Sequence, residues 1–600
     1  MLKRILGPKG IKFLKWLPCV QPAYHWFLRE IYRPLSKPSP LKLYHNWIDV
    51  VEPNLWSKHL DIEQQILISV VVPIYNPPVE LLKECVASVV SQQYIKWELV
   101  LVDDASTQAE VKEYLKSVTL LDERIKVKSL SDNSHISVAT NEGVALAKGE
   151  FIALLDHDDL LAPNALNEVA VVINANPSVK WIYSDEDFVD EKCRRSNPHF
   201  KPDMNIHLLR AHNFVTHLCV YQADVLRALG GCRVGFEGAQ DYDLALRAIA
   251  FLSANEIYHI DKILYHWRVH EGSTAMSSEA KPYTVDAGFK ALKEHLKTMG
   301  VAANVTTGEQ QNFYRVSYQI DQPHLASIII PTKDQYLILK ACIDSVLSKT
   351  SFDNYEIIIV NNQSECSETL AYLSKLSKKD NIQVITYDKP FNYSKINNFA
   401  ASYANGDTIV LLNNDTEVIS ENWLGDMVAL AHQPLVGCVG AKLLYPDDTV
   451  QHAGVIMGLG GYAAHSHRGI SNHDSGYCNR IHVNQQLSAV TAACLVVRKT
   501  LFDELGGLDE DFQVAYNDVD FCLRASSLGA QNVYCASAEL YHYESKSRGE
   551  DNTVEKQARF EKEKKKLKAR WEDIILNDPF YSRHLTRSRE DFSIRLPHEY

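Results

Sequence analysis

Runs of β-branched and aliphatic residues that stop abruptly at polar ones recur along this chain. ISVVVP (68–73), WELVLVDD (97–104) and FIALLDHDD (151–159) are apolar at almost every position before their acidic ends. Strands covered on both faces read this way, whereas a half-exposed strand alternates. Between them lie helix-period stretches such as PVELLKECVASVVSQQ (78–93). Strand and helix in alternation predict an α/β fold with a mostly parallel sheet and helices on both faces, of the Rossmann-like kind. Near the end, TVEKQARFEKEKKKLKARWEDII (553–575) predicts a charged helix with Phe560, Leu567, Trp571 and Ile575 on one side.

The same pattern is then repeated. SVVVPIYN (69–76) returns as SIIIPTKD (327–334), ELVLVDDAS (98–106) as EIIIVNNQS (356–364), and AKGEFIALLDHDD (147–159) as ANGDTIVLLNNDT (404–416). An offset of about 258 residues is too long for a solenoid and suits a duplicated domain. The expected organisation is an N-terminal extension and linker over 1–65, a first domain over 66–320, a second over 324–548 and a helical tail over 549–600. Because the matched segments are the polar ends of strands, where open α/β sheets place ligands, the duplication is expected to have copied a site as well as a fold.

A length of 600 residues with 46% apolar content allows two full cores. The net charge of −13 argues against general nucleic-acid binding. Charge is uneven, however. Residues 1–42 hold nine Lys/Arg and a single acid, Glu30. Basic residues beside Phe13, Leu14 and Trp16 suit an anionic lipid surface, so peripheral membrane contact is expected there. Twelve scattered cysteines without CxxC pairs read as reduced thiols of a cytoplasmic protein. Apolar runs fall short of a membrane span, and Gly7, Pro8, Lys9 and Lys12 interrupt any leader-like core. Dinucleotide and P-loop glycine motifs are absent.

The candidate chemistry sits at the strand ends. Asp156 and Asp158, two residues apart after a strand, are expected on one face as hard oxygen ligands for a divalent cation. The second copy offers Asn413 and Asp415, with one charge fewer. Asp103 and Asp104, with Asn361 and Asn362 as counterparts, are placed to accept a hydrogen bond from a pyrimidine base. QDYDLALR (240–247) and NDVDFCLR (517–524) share D-x-D-[LF]-x-L-R. Asp241 and Asp518 fall in a first helical turn, where the macrodipole favours the carboxylate that a general base needs. LYHWRVH (264–270) aligns with LYHYESK (540–546), and His266 with His542 is expected to complete the cation's shell.

Together these segments resemble the family-2 glycosyltransferases, in tandem, over residues 66–548. PFNYSKINNFAA, VGAKLLYPDDTVQHAG, YHYESKSRG and DPFYSRHL are similar to forms common in O-antigen and polysaccharide-building members. The resemblance implies GT-A domains, inverting chemistry, a nucleotide-sugar donor and a divalent cation (Mn²⁺ or Mg²⁺). Carried over, Asp156 and Asp158 hold metal and diphosphate, Asp104 reads the base, and Asp241 is the general base. Asn413 with Asp415, Asn362 and Asp518 are their counterparts, and Pro73, Tyr75 and Pro331 fall in the donor-binding motifs. Gln240 and Asn517 stand where the family often has Glu. The expected function is a bifunctional or processive transferase acting on a growing, lipid-linked glycan at the cytoplasmic membrane face. The alternatives are one active domain beside an acceptor-binding one, or a glycan-binding scaffold.

Overall fold

The computed structural model describes residues 39–56, 64–270, 282–320, 322–544 and 553–600. The basic lead, with its expected lipid contact, lies outside the described residues. Two bodies emerge: a small one reaching Leu55 and including Leu596–His598 and Tyr600, and a large one over Trp56–Arg595 with Glu599. In the small body a helix over Pro40–Val50 buries Tyr44 and Trp47, and the Trp47 indole N–H donates to the Tyr600 hydroxyl at 3.0 Å.

The large body holds both repeats, each built on its own sheet. The first uses β1 (Ile68–Ile74), β2 (Trp97–Asp103), β3 (Ile125–Ser129), β4 (Phe151–Leu154), β5 (Leu160–Leu161), β6 (Trp181–Val189), β7 (Arg195–His199), β8 (Cys219–Gln222) and β9 (Ile257–Arg268). Their order is β3-β2-β1-β4-β8-β6-β9-β5, with β7 hydrogen-bonded to β6. The four leading strands are parallel; β8 then runs antiparallel between β4 and β6. Val70, Val71 and Val72 are fully buried on both faces of β1, as the unbroken apolar run requires.

The second sheet uses β10 (Ala326–Thr332), β11 (Tyr355–Asn361), β12 (Ile382–Thr386), β13 (Thr408–Leu412), β14 (Thr416–Val418), β15 (Val436–Leu444), β16 (Cys494–Arg498) and β17 (Gln531–His542). Their order, β12-β11-β10-β13-β16-β15-β17-β14, repeats the first sheet once β7 is set aside together with two short strands of the second sheet, Val450–His452 beside β15 and Gln485–Leu487 beside β17. These are two tandem α/β domains with one strand order.

Each sheet is followed by one long helix. In the first domain α1 (Gln240–Phe251) precedes β9 and α2 (Pro282–Thr298) follows it; in the second, α3 (Asn517–Ser527) precedes β17 and α4 (Val554–Leu576) follows it. A hairpin over 303–318 comes after α2, and an isolated antiparallel bridge, Leu585 to Ile594, comes after α4. Leu567 and Ile575 of α4 belong to the same apolar core as Ile329, Ile358 and Leu523. The boundary expected at 548 therefore cuts through one packed body, because the apolar side of the tail helix needs the second domain's core to cover it.

The two domains are joined by paired polar contacts. The Asn205 side chain donates to Gln486 O at 2.9 Å and accepts from Gln486 N–H at 3.0 Å. The Tyr477 hydroxyl accepts from Phe200 N–H at 2.8 Å and donates to Phe200 O at 3.1 Å. Val483 of the second domain lies in the first domain's apolar core. The C-terminal segment reaches across as well, with Arg583 paired to Asp261 at 2.6 Å.

Candidate active site

A cleft of about 850 Å³ opens at the carboxyl ends of the first domain's parallel strands. Its lining includes Pro73 near the end of β1 and Tyr75 just after it, Asp104 after β2, Asp156 after β4, and Asp241 at the start of α1. Residues far apart in sequence meet here because β2, β1, β4 and β8 are consecutive neighbours in the sheet. At about 4.8 Å per strand, that edge spans roughly 14 Å from β2 to β8.

Asp104 accepts the Ser134 N–H through Oδ1 at 2.7 Å. Asp103 does not line the cleft; its Oδ1 accepts the Ser106 N–H at 2.9 Å and holds the turn. Asp241 receives an N–H from the Asn213 amide at 2.8 Å. Burial raises its pKa, partly offset by the nearby charge of His217. Its neighbour Asp243 does other work, pairing with Arg247 at 2.7 Å and also with Arg233 inside the core.

The acidic turn differs from the expected geometry. β4 ends at Leu154, so the two-residue periodicity of extended chain no longer governs Asp156 and Asp158. Asp156 faces His217, Oδ2 to Nε2 at 3.8 Å, while Asp158 lies 2.9 Å from His270 Nε2. Asp159, absent from the sequence reading, groups with Asp156 and His217 with their ligand atoms within 4.8 Å of one another. Both Asp159 oxygens are engaged, one by the Tyr265 hydroxyl and one by Arg268 N–H. Burial raises the Asp156 pKa against the pull of His217, and the charges of Asp158 and Asp241 raise it further. Asp156, Asp158 and Asp241 thus share one field.

His266 pairs with Leu160 just after this turn, but its ring is engaged elsewhere. Its Nδ1 meets Asp187 at 2.5 Å, on β6. The imidazole that meets Asp158 is four residues further on, at His270. His217 was missed altogether. Burial opposes a charge on that ring, but its bond to Glu186 and the charges of Glu186 and Asp156 outweigh burial and hold its pKa at about 9. Glu186 is itself buried against Lys201, which keeps it ionised.

The second domain assembles a related cluster after β13. His542 Nε2 lies 3.2 Å from Asp415 and 3.4 Å from the Asn413 amide, while its Nδ1 meets Gln451 Oε1 at 2.6 Å. Asp518 Oδ2 accepts the Ala492 N–H at 2.9 Å. Tyr393 has its pKa raised by burial first, then by the charges of Asp518 and Asp415, so both acids face it. Asn362 N–H donates to Thr332 O just as Asp104 N–H donates to Ile74 O, each at 2.8 Å. Its amide, however, donates to Tyr387 O and Lys389 O. Pro331 lies on β10 as Pro73 lies on β1. One contrast is marked: β6 carries buried Asp185, Glu186 and Asp187 ahead of its last residues, Phe188 and Val189, whereas the end of β15 has buried Leu443 and Leu444 and no acid.

A second metal-like cluster, His324, Asp407 and His432, lies elsewhere in this domain. Its imidazoles stack with centroids 3.5 Å apart and planes 18° from parallel, so their in-plane lone pairs run side by side instead of converging on one ion.

Comparison with known proteins bears on the identity of this double site. The family described as Glycosyl transferase family 2 matches residues 69–230 and again 327–506. The protein y4gI of Sinorhizobium fredii is 46% identical over 534 residues, covering 88% of this chain and 59% of that protein. The O-antigen biosynthesis protein RfbC of Myxococcus xanthus is 38% identical over 538 residues, covering 88% of this chain and 41% of RfbC. The chain thus spans about half the length of these curated relatives. Among solved structures, Staphylococcus aureus TarS 1-349 in complex with UDP-GlcNAc aligns at a TM-score of 0.32 and 20% identity, over 39% of this chain and 66% of that one. The mannosyltransferase PcManGT of Pyrobaculum calidifontis, in complex with GDP-Man and Mn²⁺, gives 0.31 and 14%, over 40% and 64%. With its family matched over more than half its length, once in each repeat, the chain belongs to the family 2 glycosyl transferases.

Proposed function

We propose that the first domain transfers a sugar, with inversion, from a nucleotide donor to a glycan hydroxyl. The observation that carries this is that Asp104 after β2, Asp156 after β4 and Asp241 at the start of α1 line one cleft. The nucleoside fits the Asp104 end and the diphosphate the Asp156 turn. Asp156 and Asp158 are hard oxygen donors, with the His270 imidazole 2.9 Å from Asp158, groups of the kind that fit a divalent cation. Bound there, Mn²⁺ or Mg²⁺ supplies positive charge against that of the leaving diphosphate.

Asp241 is then the base. The acceptor oxygen bonds to the anomeric carbon as the bond to the diphosphate oxygen breaks, the hydroxyl proton passes to Asp241, and nucleoside diphosphate leaves. Asn213 fixes one carboxylate oxygen, which sets the plane of the base before the acceptor arrives.

In the second domain Asn413, Asp415, His542 and Asp518 support a second transferase centre with a weaker hold on metal. The chain then works as a bifunctional or processive enzyme on a growing, lipid-linked glycan at the cytoplasmic membrane face. Building O-antigen or a related surface polysaccharide fits the relationship to RfbC. The absence of the β6 acids from the strand that ends in Leu443 and Leu444 favours a second reading, in which this domain only holds the acceptor.

The test is thermal stability with a panel of sugar nucleotides, with and without Mn²⁺, since a ligand of the native state raises the midpoint. One donor should stabilise the protein in a Mn²⁺-dependent way, and Asp156→Asn should abolish that shift. A panel without any such shift would remove the donor-site reading. Deleting residues 1–40 should move the protein from the membrane to the soluble fraction; unchanged partitioning would end the lipid-contact part.

A further inference from the structure

The α1 end of the first-domain cleft carries an aromatic side chain that the reaction as described does not use. Tyr283, in the first turn of α2, lines the cleft and is 48% exposed there. Single exposed apolar residues are ordinary on a protein surface, so what distinguishes this ring is its place in the cleft and the backbone beside it. The backbone has been fitted to it. Gly238, three residues before Asp241, has φ +85°, and a Cβ added there would sit 2.6 Å from Tyr283 Cε2 and 2.8 Å from Thr284 Cγ2. Glycine at this point both takes the left-handed backbone and lets the ring lie against the chain that leads into Asp241.

Its place beside the base sets this ring apart from the donor. Asp104 follows β2 and Asp156 follows β4, whereas the ring lies against Gly238, three residues before Asp241. The anomeric carbon lies between the diphosphate and the base, so Tyr283 is on the acceptor's side. The same wall carries Asn312 and Phe313 from the hairpin after α2, with the Thr284 hydroxyl 3.3 Å from Asn312 Oδ1. A flat apolar ring bordered by amide and hydroxyl groups matches a pyranose, which has one C–H-rich face and a rim of hydroxyls.

We propose that Tyr283 is the stacking platform for the terminal sugar of the acceptor, with Gly238 required to seat it. This rests on the transferase reading of the same cleft. The ring orders the sugar so that one hydroxyl faces Asp241; it takes no part in the proton transfer.

The test uses the full chain, the donor found in the stability panel, and octyl glycosides of glucose, galactose, mannose, rhamnose and N-acetylglucosamine as acceptor probes. Nucleoside diphosphate release is followed as each glycoside is titrated. At least one glycoside should accelerate release by the native protein. For that glycoside Tyr283→Ala should raise KM tenfold or more while kcat falls less than threefold, and Tyr283→Phe should restore KM to within about twofold. Gly238→Ala should reproduce the KM effect with the tyrosine intact. An unchanged KM in Tyr283→Ala, equal losses in KM and kcat, or no response of the native protein to any glycoside would overturn the assignment. If donor stabilisation and glycoside-free release also fail, the transferase reading fails; if they persist, only the platform is lost.

Discussion

Asp158 meets His270 across 2.9 Å, and in the second domain Asp415 meets His542 across 3.2 Å. Both repeats therefore oppose a carboxylate after the fourth strand with an imidazole at or beyond the end of the long eighth or ninth strand. The histidines are not the pair that sequence alignment matches, because the strand contacts are shifted: Leu160 is opposite His266, whereas Thr416 is opposite His542. His270→Ala should raise the Mn²⁺ concentration needed for half-maximal nucleotide release by tenfold or more. His266→Ala should leave that requirement nearly unchanged and lower thermal stability instead, by about 1–3 kcal/mol, since buried Asp187 loses a partner. A Mn²⁺ titration of both variants distinguishes them.

Asp241→Asn and Asp518→Asn separate the two domains. Each substitution keeps the side chain's shape and removes the basic oxygen. Loss of general-base assistance should cost roughly 10²–10⁴-fold in rate. With two independent transferases, each variant loses a different linkage, read from the glycan product. Loss of the same linkage by both would exclude independence.

The protein should lose stability as pH rises from about 6.5 to 9. His259 is buried between Asp185 at 2.9 Å and Asp203 at 3.3 Å. Burial disfavours its charge, but Asp185 and then Asp203 outweigh burial and raise its pKa from 6.5 to about 9. The folded state thus binds a proton that the unfolded chain releases sooner. That contribution is complete below the unfolded pKa and disappears as pH passes the folded one. His259→Asn should flatten the thermal midpoint between these pH values relative to the native protein.

Glu563, on α4, is 2% exposed and accepts N–H groups from Val514 and Ala515 at 3.0 and 3.2 Å, just ahead of Asp518. Arg570 and the Trp571 indole reach Asp520 at 2.6 and 3.0 Å. Glu563→Ala leaves two backbone donors without that acceptor, a cost of about 1–3 kcal/mol for each one that stays buried. Amide exchange should quicken over residues 513–520 and stay unchanged at the start of α1. Equal acceleration in both helices would show that α4 does not act on the second domain specifically.

The sheets and the wall of the cleft were legible because each depends on a short-range rule. Apolar runs ending in polar residues marked β1, β2 and β4 with their counterparts, and their carboxyl ends placed Asp104 and Asp156 together. A first-turn carboxylate placed Asp241. The histidines were harder to see. His217 precedes β8, which reaches the cleft only because that strand is inserted antiparallel between β4 and β6, an order that local periodicity does not encode. In YHWRVH two imidazoles compete, and the choice between them turns on a strand register fixed by tertiary contacts. For α4 the signal was present in Leu567 and Ile575, which marked a buried side without saying which core would cover it.

Asn205 grips both backbone polar groups of Gln486, and Tyr477 does the same to Phe200, so the two repeats are tied at two points through main-chain groups. Any sliding of one sheet past the other must first give up these four bonds, so the coupling of the repeats is written in amide groups and not in apolar area alone.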